Sequence, residues 1–282
     1  MEAANPSLSA SHAKVFKDLS SEQYHGERNH TSSSQLVRML QTPAHYQHHL
    51  QCVGEEESDL MKLGTAVHCA LLEPKTFPNR YVLAPRKYNR TLKVDKAEIA
   101  LLEAAYPNKT LVTPSEAEML RKAVNGIRQH RLAASLLSGA GESELSIFWR
   151  DALTGLDLKV RIDRFAHFGV GNTMVEVKTT DNASPWHFSR KVIDMDYDMR
   201  AVMYTDGIEQ VYGLQAQIVW LVIERETGFV TTYKPSPEMI RRGKKRYEEA
   251  RLALAKAKAL NQWPSYQSGD EIEEIELPRW AK

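Results

Sequence analysis

An α/β domain, a central mixed β-sheet flanked by helices, is the fold this sequence predicts. Three observations predict it. Patterns run in the order helices, three strands, helix, two strands, helix. LDLKVRIDRF and MVEVKTT alternate apolar and polar residues, as strands do. AQIVWLVIER is nearly all apolar, as a strand covered on both faces would be.

The elements follow in chain order. Residues 1–20 are small and polar and are expected as a flexible N-terminal arm; residues 21–282 are expected as one domain, because no clean linker divides them. In TSSSQLVRMLQTPAHYQHHL, a Ser/Thr cluster before Leu36 reads as a capped helix start, and Pro43 opens a second short helix. KLGTAVHCALLEP reads as an apolar helix ended by Pro74. Helical periodicity covers 94–106 and 114–137, with Thr113-Pro114-Ser115-Glu116 as a start signal. SELSIFWRD is a strand, and Thr154-Gly155 a turn. Leu156, Leu158, Val160 and Ile162 then share one strand face, and Asp157, Lys159, Arg161 and Asp163 the other. GVGN is a further turn into MVEVKTT. Residues 184–213 form one long helix or two shorter ones. AQIVWLVIER and TGFVTTYKP pair as a hairpin, and 236–261 form a long charged helix.

The chain has 282 residues, 42% hydrophobic and 26% charged, with a formal net charge of +1. That charge excludes a global basic footprint, so any nucleic-acid surface is a local patch. Cys52 and Cys69 sit in no CxxC or Cys/His cluster, which argues against structural zinc or iron–sulfur. The N-terminal stretch has no apolar signal-peptide core, and no run approaches the ~18 apolar residues of a membrane span. A cytoplasmic protein that binds no membrane is expected.

Chemistry concentrates in two strands. Glu176 and Lys178, two apart, leave the same face. If 156–163 pairs with 174–180, Asp163 and Glu176 converge. Two carboxylates that close repel unless a cation lies between them, and Mg²⁺ suits such oxygens. Lys178 would then stand beside the reacting water and the developing phosphate charge. Taken alone, an acid and a base on a strand face are more often simply solvated.

D-x12-E-x-K across consecutive strands resembles the PD-(D/E)xK nuclease fold. The wider chain resembles the RecE-type exonucleases (exodeoxyribonuclease VIII) of phages and prophages. The likeness is carried by SSSQL with TPAHY, LGTAVHCALLEP with NRYVLAP, TGLDLKVRIDRF, VEVKTT, YTDG and LPRWAK, in the family's order.

The resemblance implies a metal site of His68, Asp163 and Glu176, with Lys178, Glu176 and Asp163 catalytic. His68 by itself reads as a satisfied helix histidine. The resemblance also implies substrate contacts from Ser32 and Ser34, Thr179, Arg200 and Tyr204. Simple N-capping is an equal account of either serine, and Arg200 stands where the family's pattern has Gln. Glu73 reads as structural, and Asp157 as too far along its strand to share the metal. Arg86, Lys87, Arg90 and Lys93, with Tyr88, form a basic loop suited to phosphates, or simply solvated.

The function so implied is an Mg²⁺-dependent exonuclease, with Mn²⁺ as a substitute. It would act 5′ to 3′ on double-stranded DNA ends and leave 3′ tails for recombination in a bacterial host cell. A homo-oligomeric ring, a tetramer, and a RecT-type annealing partner are implied too. Two rivals stand: an endonuclease or single-strand-specific nuclease on the same core, and a non-catalytic DNA-binding subunit with a decayed site.

Overall fold

The computed structural model describes residues 13–52, 59–88, 92–168, 171–267, 269, 272–278 and 281. The N-terminal part holds β1 (Lys14–Phe16), α1 (Ser21–Gly26), β2 (Thr31–Ser32), α2 (Ser33–Met39), α3 (Pro43–Gln51) and α4 (Asp59–Leu72). Next come α5 (Phe77–Arg80), β3 (Tyr81–Leu83), α6 (Lys93–Ala105), β4 (Thr110–Val112), α7 (Pro114–Gln129) and α8 (Arg131–Ser138). The C-terminal half holds β5 (Gly141–Arg150), β6 (Asp157–Phe168), β7 (Gly171–Thr180), α9 (Pro185–Asp194) and α10 (Tyr197–Tyr212). β8 (Gln217–Glu224), β9 (Val230–Tyr233) and α11 (Pro237–Leu260) complete the order.

The strand pattern expected from the sequence is present. The main sheet runs β1-β5-β6-β7-β8-β9, with β2 also beside β6. Pairing is antiparallel except for β7 with β8 and β2 with β6, so the sheet is mixed. Strand β1 falls inside the stretch expected as a loose arm, where KVF is too short for a period to show. β3 and β4 make a separate parallel pair, equally short.

Helices cover both faces. On one, α2, α9, α10 and α11 bury Leu36, Phe188, Met203 and Leu254 against Leu158, Ile162, Met174 and Trp220. On the other, α4, α7 and α8 bury Val67, Ala123 and Leu136 against Val175, Val177 and Leu221. β8 contributes to both cores, which is why its sequence hardly alternates.

Helix ends follow local chemistry. Ser32 caps α2 and Thr113 caps α7, each in a reciprocal capping box. The periodic run 114–137 is two helices: His130 leaves helical geometry, and its Nδ1 accepts from Ala133 N at 3.2 Å to start α8. The break between α9 and α10 falls at Asp196, in left-handed geometry at φ 50°. Asp196 is held there by Arg246 Nε at 2.6 Å and by Arg242. Gly155, φ +68°, supplies the β5–β6 turn that its sequence predicted.

Candidate active site

The site is a split in the sheet. β6 and β7 pair from the hairpin end at Phe168–Gly171 as far as Arg164–Val175 and then separate. Beyond the split β6 takes β2 as its neighbour, with Thr31 opposite Leu158 and Ser32 opposite Lys159. Asp163 is the first residue past the last rung. Its Oδ2 accepts from Val177 N at 2.7 Å, a backbone donor the ladder no longer serves.

α4 brings His68 to the same place. His68 Nε2 lies 3.0 Å from Val177 O, and Nδ1 lies 3.4 Å from Asp163 Oδ1. A carbonyl can only accept, so Nε2 carries a proton; Nδ1 faces Asp163 and, in the neutral ring, presents its lone pair. The neutral form is the tautomer that binds a metal, oriented by an outer hydrogen bond. Burial alone would lower the His68 pKa, but the facing Asp163 raises it overall. Burial likewise opposes ionisation of Asp163, yet His68, Lys178 and Val177 N–H hold its carboxyl below the usual range.

A third ligand enters from β5. Ligand atoms of His68, Glu144 and Asp163 lie within 4.8 Å of one another, a grouping that suits a metal ion. Burial and the nearby Asp163 push the Glu144 carboxyl up, against Arg161, which ion-pairs with it. Glu144 is one of three non-glycine residues at positive φ among the described residues, at 53°. Sequence reading passed over it. A signal existed: Arg150 opposite Asp157 fixes the hairpin register, and counting back six residues sets Glu144 across from Asp163.

Glu176 is placed differently from the expected ligand set. It is not one of that trio among the described residues. Its Oε2 receives Lys178 Nζ at 2.8 Å, and its Oε1 is buried with no hydrogen-bond partner among the described residues. Burial first, and Asp163 second, push its pKa up to about 7. Burial would lower Lys178, but Glu176 and Asp163 keep its ammonium firmly charged. The Nζ also lies 5.3 Å from the Tyr197 ring centroid.

The residues fit a divalent cation. One imidazole nitrogen and two carboxylates face each other at ligand spacing, and a third carboxylate nearby has an orphaned oxygen that needs a positive partner.

A cleft of 390 Å³ opens over His68, Glu144 and Asp163, and Glu176 and Lys178 are not among its lining residues. Ser32, Ser34, His68, Asp163, Arg200 and Tyr204 all line it, beside Glu144 and Arg161. The structure therefore brings together residues expected from distant parts of the sequence. Ser32 is engaged as the α2 cap, and its Oγ lies 3.0 Å from Ser34 Oγ. Ser33, which sequence reading did not single out, donates to Tyr204 Oη at 3.3 Å. Burial, then Glu176, pushes Tyr204 up to about 12. Arg200 Nε donates to Met195 O at 3.2 Å, with no carboxylate partner among the described residues. Thr179 is half-buried, its Oγ1 close to Gly64 of α4, and does not line the cleft.

Of the expected basic loop, Arg86 is committed internally. Arg86 pairs with Asp95 and Glu98 and stacks 4.3 Å from the Tyr88 ring centroid. Arg90 lies outside the described residues. Glu73 pairs with Arg80 at 3.1 Å, and both line the cleft. Asp157 pairs with Arg150, away from the trio. No helix among the described residues is long and apolar enough to cross a membrane.

A crystal structure of a candidate exonuclease from Eubacterium rectale aligns with TM-score 0.59 and 11% identity, covering 92% of this chain and 96% of that one. That likeness is one of fold. A second solved structure, SSO0001, covers 56% of this chain and 69% of its own at 13% identity, with TM-score 0.29, too low to carry an argument. No curated protein matches. The model of the PDDEXK-like domain of unknown function DUF3799 matches residues 32–277, from the α2 cap past the end of α11. The protein belongs to this PDDEXK-like family, within the PD-(D/E)xK nuclease superfamily.

Proposed function

We propose that the protein is a metal-dependent exodeoxyribonuclease of RecE type, acting 5′ to 3′ from double-stranded DNA ends and leaving 3′ single-stranded tails for recombination. The observation that carries this reading is the sheet split, which sets a His68–Glu144–Asp163 trio in the wall of one cleft, with the Glu176–Lys178 pair close enough to Asp163 to feel its charge. Mg²⁺ is the proposed ion, held by His68, Glu144 and Asp163, with Glu176 to hand. Such an ion neutralises phosphate charge and makes water a stronger nucleophile at neutral pH.

The side chains divide the remaining work. Lys178 stays protonated and supplies positive charge where the phosphodiester gains negative charge. Glu176 holds the Lys178 ammonium in place through a 2.8 Å contact. Arg200, without a carboxylate partner, is free to meet a phosphate, and its fork can do so bidentately where a Gln could not. Ser32 and Ser34 offer hydroxyls at the cleft wall. Action within a homo-oligomeric ring, a tetramer, beside a RecT-type annealing partner in the host cytoplasm completes the proposal.

Linear duplexes with 5′-phosphate or 5′-hydroxyl ends, and a closed circle, test it together. Digestion of the linear forms with Mg²⁺, its loss with chelator, and a fall of about 10²–10³-fold in Lys178→Ala are expected. Cutting of the circle would sink the exonuclease reading in favour of an endonuclease. Unchanged digestion with chelator would sink the metal. Absence of any digestion by wild type would leave a DNA-binding subunit.

A further inference from the structure

The end of β7 leads straight from the site to an unusual surface. Thr180 is the last residue of the strand that carries Glu176 and Lys178. Thr180 O accepts from Arg225 N at 2.9 Å, and its Oγ1 accepts from Lys191 Nζ at 3.4 Å. Six residues on, Trp186 stands in the first turn of α9 with 64% of its surface exposed. A single exposed apolar residue needs no explanation, but this one has a specific setting. Arg190, one turn along, lies 5.0 Å from its ring centroid, and His187 meets it edge-on at 5.8 Å.

The charges around it are incompletely balanced. Arg190 and Arg225 have no carboxylate within ion-pair distance among the described residues, and Lys191 reaches only Asp181, at 4.0 Å. Arg225 is also close enough to Lys191 to help burial depress its pKa. Elsewhere the arginines of α11 are mostly paired, as Arg242, Arg246 and Arg251 show. Three cations with one exposed acid, Asp181, among them, beside an exposed indole, are complementary to a polyanion that carries flat apolar rings. Single-stranded nucleic acid has that chemistry: phosphodiesters for the cations and bases to stack on the ring.

We infer that Trp186, with Arg190, Lys191 and Arg225, is a stacking platform that binds unpaired nucleotides at the rim of the β6–β7 split. The inference rests on the nuclease reading only for the source of those nucleotides, a frayed or processed duplex end. Binding itself needs no hydrolysis.

The test is therefore made in chelator, with wild type, Trp186→Ala, Trp186→Phe and Arg190→Ala. Fluorescence anisotropy is read with labelled blunt duplex, tailed duplex and single-stranded oligonucleotide, whose integrity is checked on a gel. Trp186→Ala is expected to weaken the tailed and single-stranded probes by about tenfold, the scale of one lost stacked base, and blunt duplex by less than about twofold. Trp186→Phe keeps most of the affinity, and Arg190→Ala loses part. Exposure of Trp186 protects the fold of its variants. Equal affinity of wild type and Trp186→Ala for tailed probes, equal losses on blunt and tailed probes, or no binding by wild type would each overturn the platform. Failure of the nuclease reading is seen separately, as absent digestion with Mg²⁺.

Discussion

Two stretches of the same strand pair are built to opposite ends. From 164 to 168, β6 is zipped to β7, and the pair is apolar where it meets the core: Phe165 lies opposite Met174, both essentially fully buried. From 163 back towards 158, β6 has left β7, and the space is filled by charge and by the short strand β2. The zipped stretch spends its backbone groups on the ladder. The split stretch hands Val177 N–H to Asp163 and Val177 C=O to His68, so the broken ladder itself orients the polar group. A sheet opened in this way can place carboxylates at ligand spacing within a buried setting and leave no orphaned backbone donor at Val177.

The largest effect should come from damaging the zipped stretch. Phe165→Ala removes a side chain packed beside Met174 and stacked on Tyr212 at 5.6 Å between centroids. A loss of about 3–5 kcal/mol in chemical denaturation is expected. Metal affinity of the surviving folded protein, read by calorimetry, should be nearly unchanged. A large fall in metal affinity at retained fold would show that the two stretches are not separable.

How far the sequence reveals this contrast is itself instructive. Alternation in LDLKVRIDRF and MVEVKTT places the strands and puts Glu176 and Lys178 on one face, because side-chain period is a local property. His68 is legible only through resemblance, since helix residues around it are apolar and give no hint of Asp163. Glu144 and the split are not patterns in any one segment. They arise where a cross-strand register meets a departure from regular strand geometry, at φ 53°. The Ser32 cap was legible as a cap, and the structure keeps it so while setting it on the cleft wall.

A middle-sized effect separates the two jobs of Asp163. Asp163→Asn keeps an oxygen that can accept from Val177 N but removes the charge. Asp163→Ala removes both. Both variants should lose metal affinity by more than about 10–100-fold, the cost of disturbing even outer partners of a metal. Asp163→Ala should lose about 1–3 kcal/mol more stability than Asp163→Asn, from a buried N–H left without a partner. Equal stability of the two variants would mean that the broken ladder is not held by this side chain.

The smallest effect is a pH dependence confined to the split. Glu176 sits at about 7 in the folded chain against an ordinary 4.5, and Glu144 and His68 are raised as well. A group raised by folding contributes stability that is whole below its unfolded value and is lost as pH rises through its folded value. Asp163 is lowered, so its contribution is already complete above its ordinary 3.8 and does not change across neutral pH. The metal-free protein should therefore lose several degrees of melting temperature between about pH 5 and pH 8. Glu176→Gln should flatten that slope, because its amide does not titrate. Added Mg²⁺ should oppose the loss, increasingly at the alkaline end, since it binds the folded state and needs the carboxylates ionised. The zipped stretch gives the control: Met174→Leu, a swap of similar volume in the apolar core, should shift the whole curve and leave its pH slope as in wild type. Equal slopes for wild type and Glu176→Gln would place the titrating group elsewhere and remove Glu176 from the account.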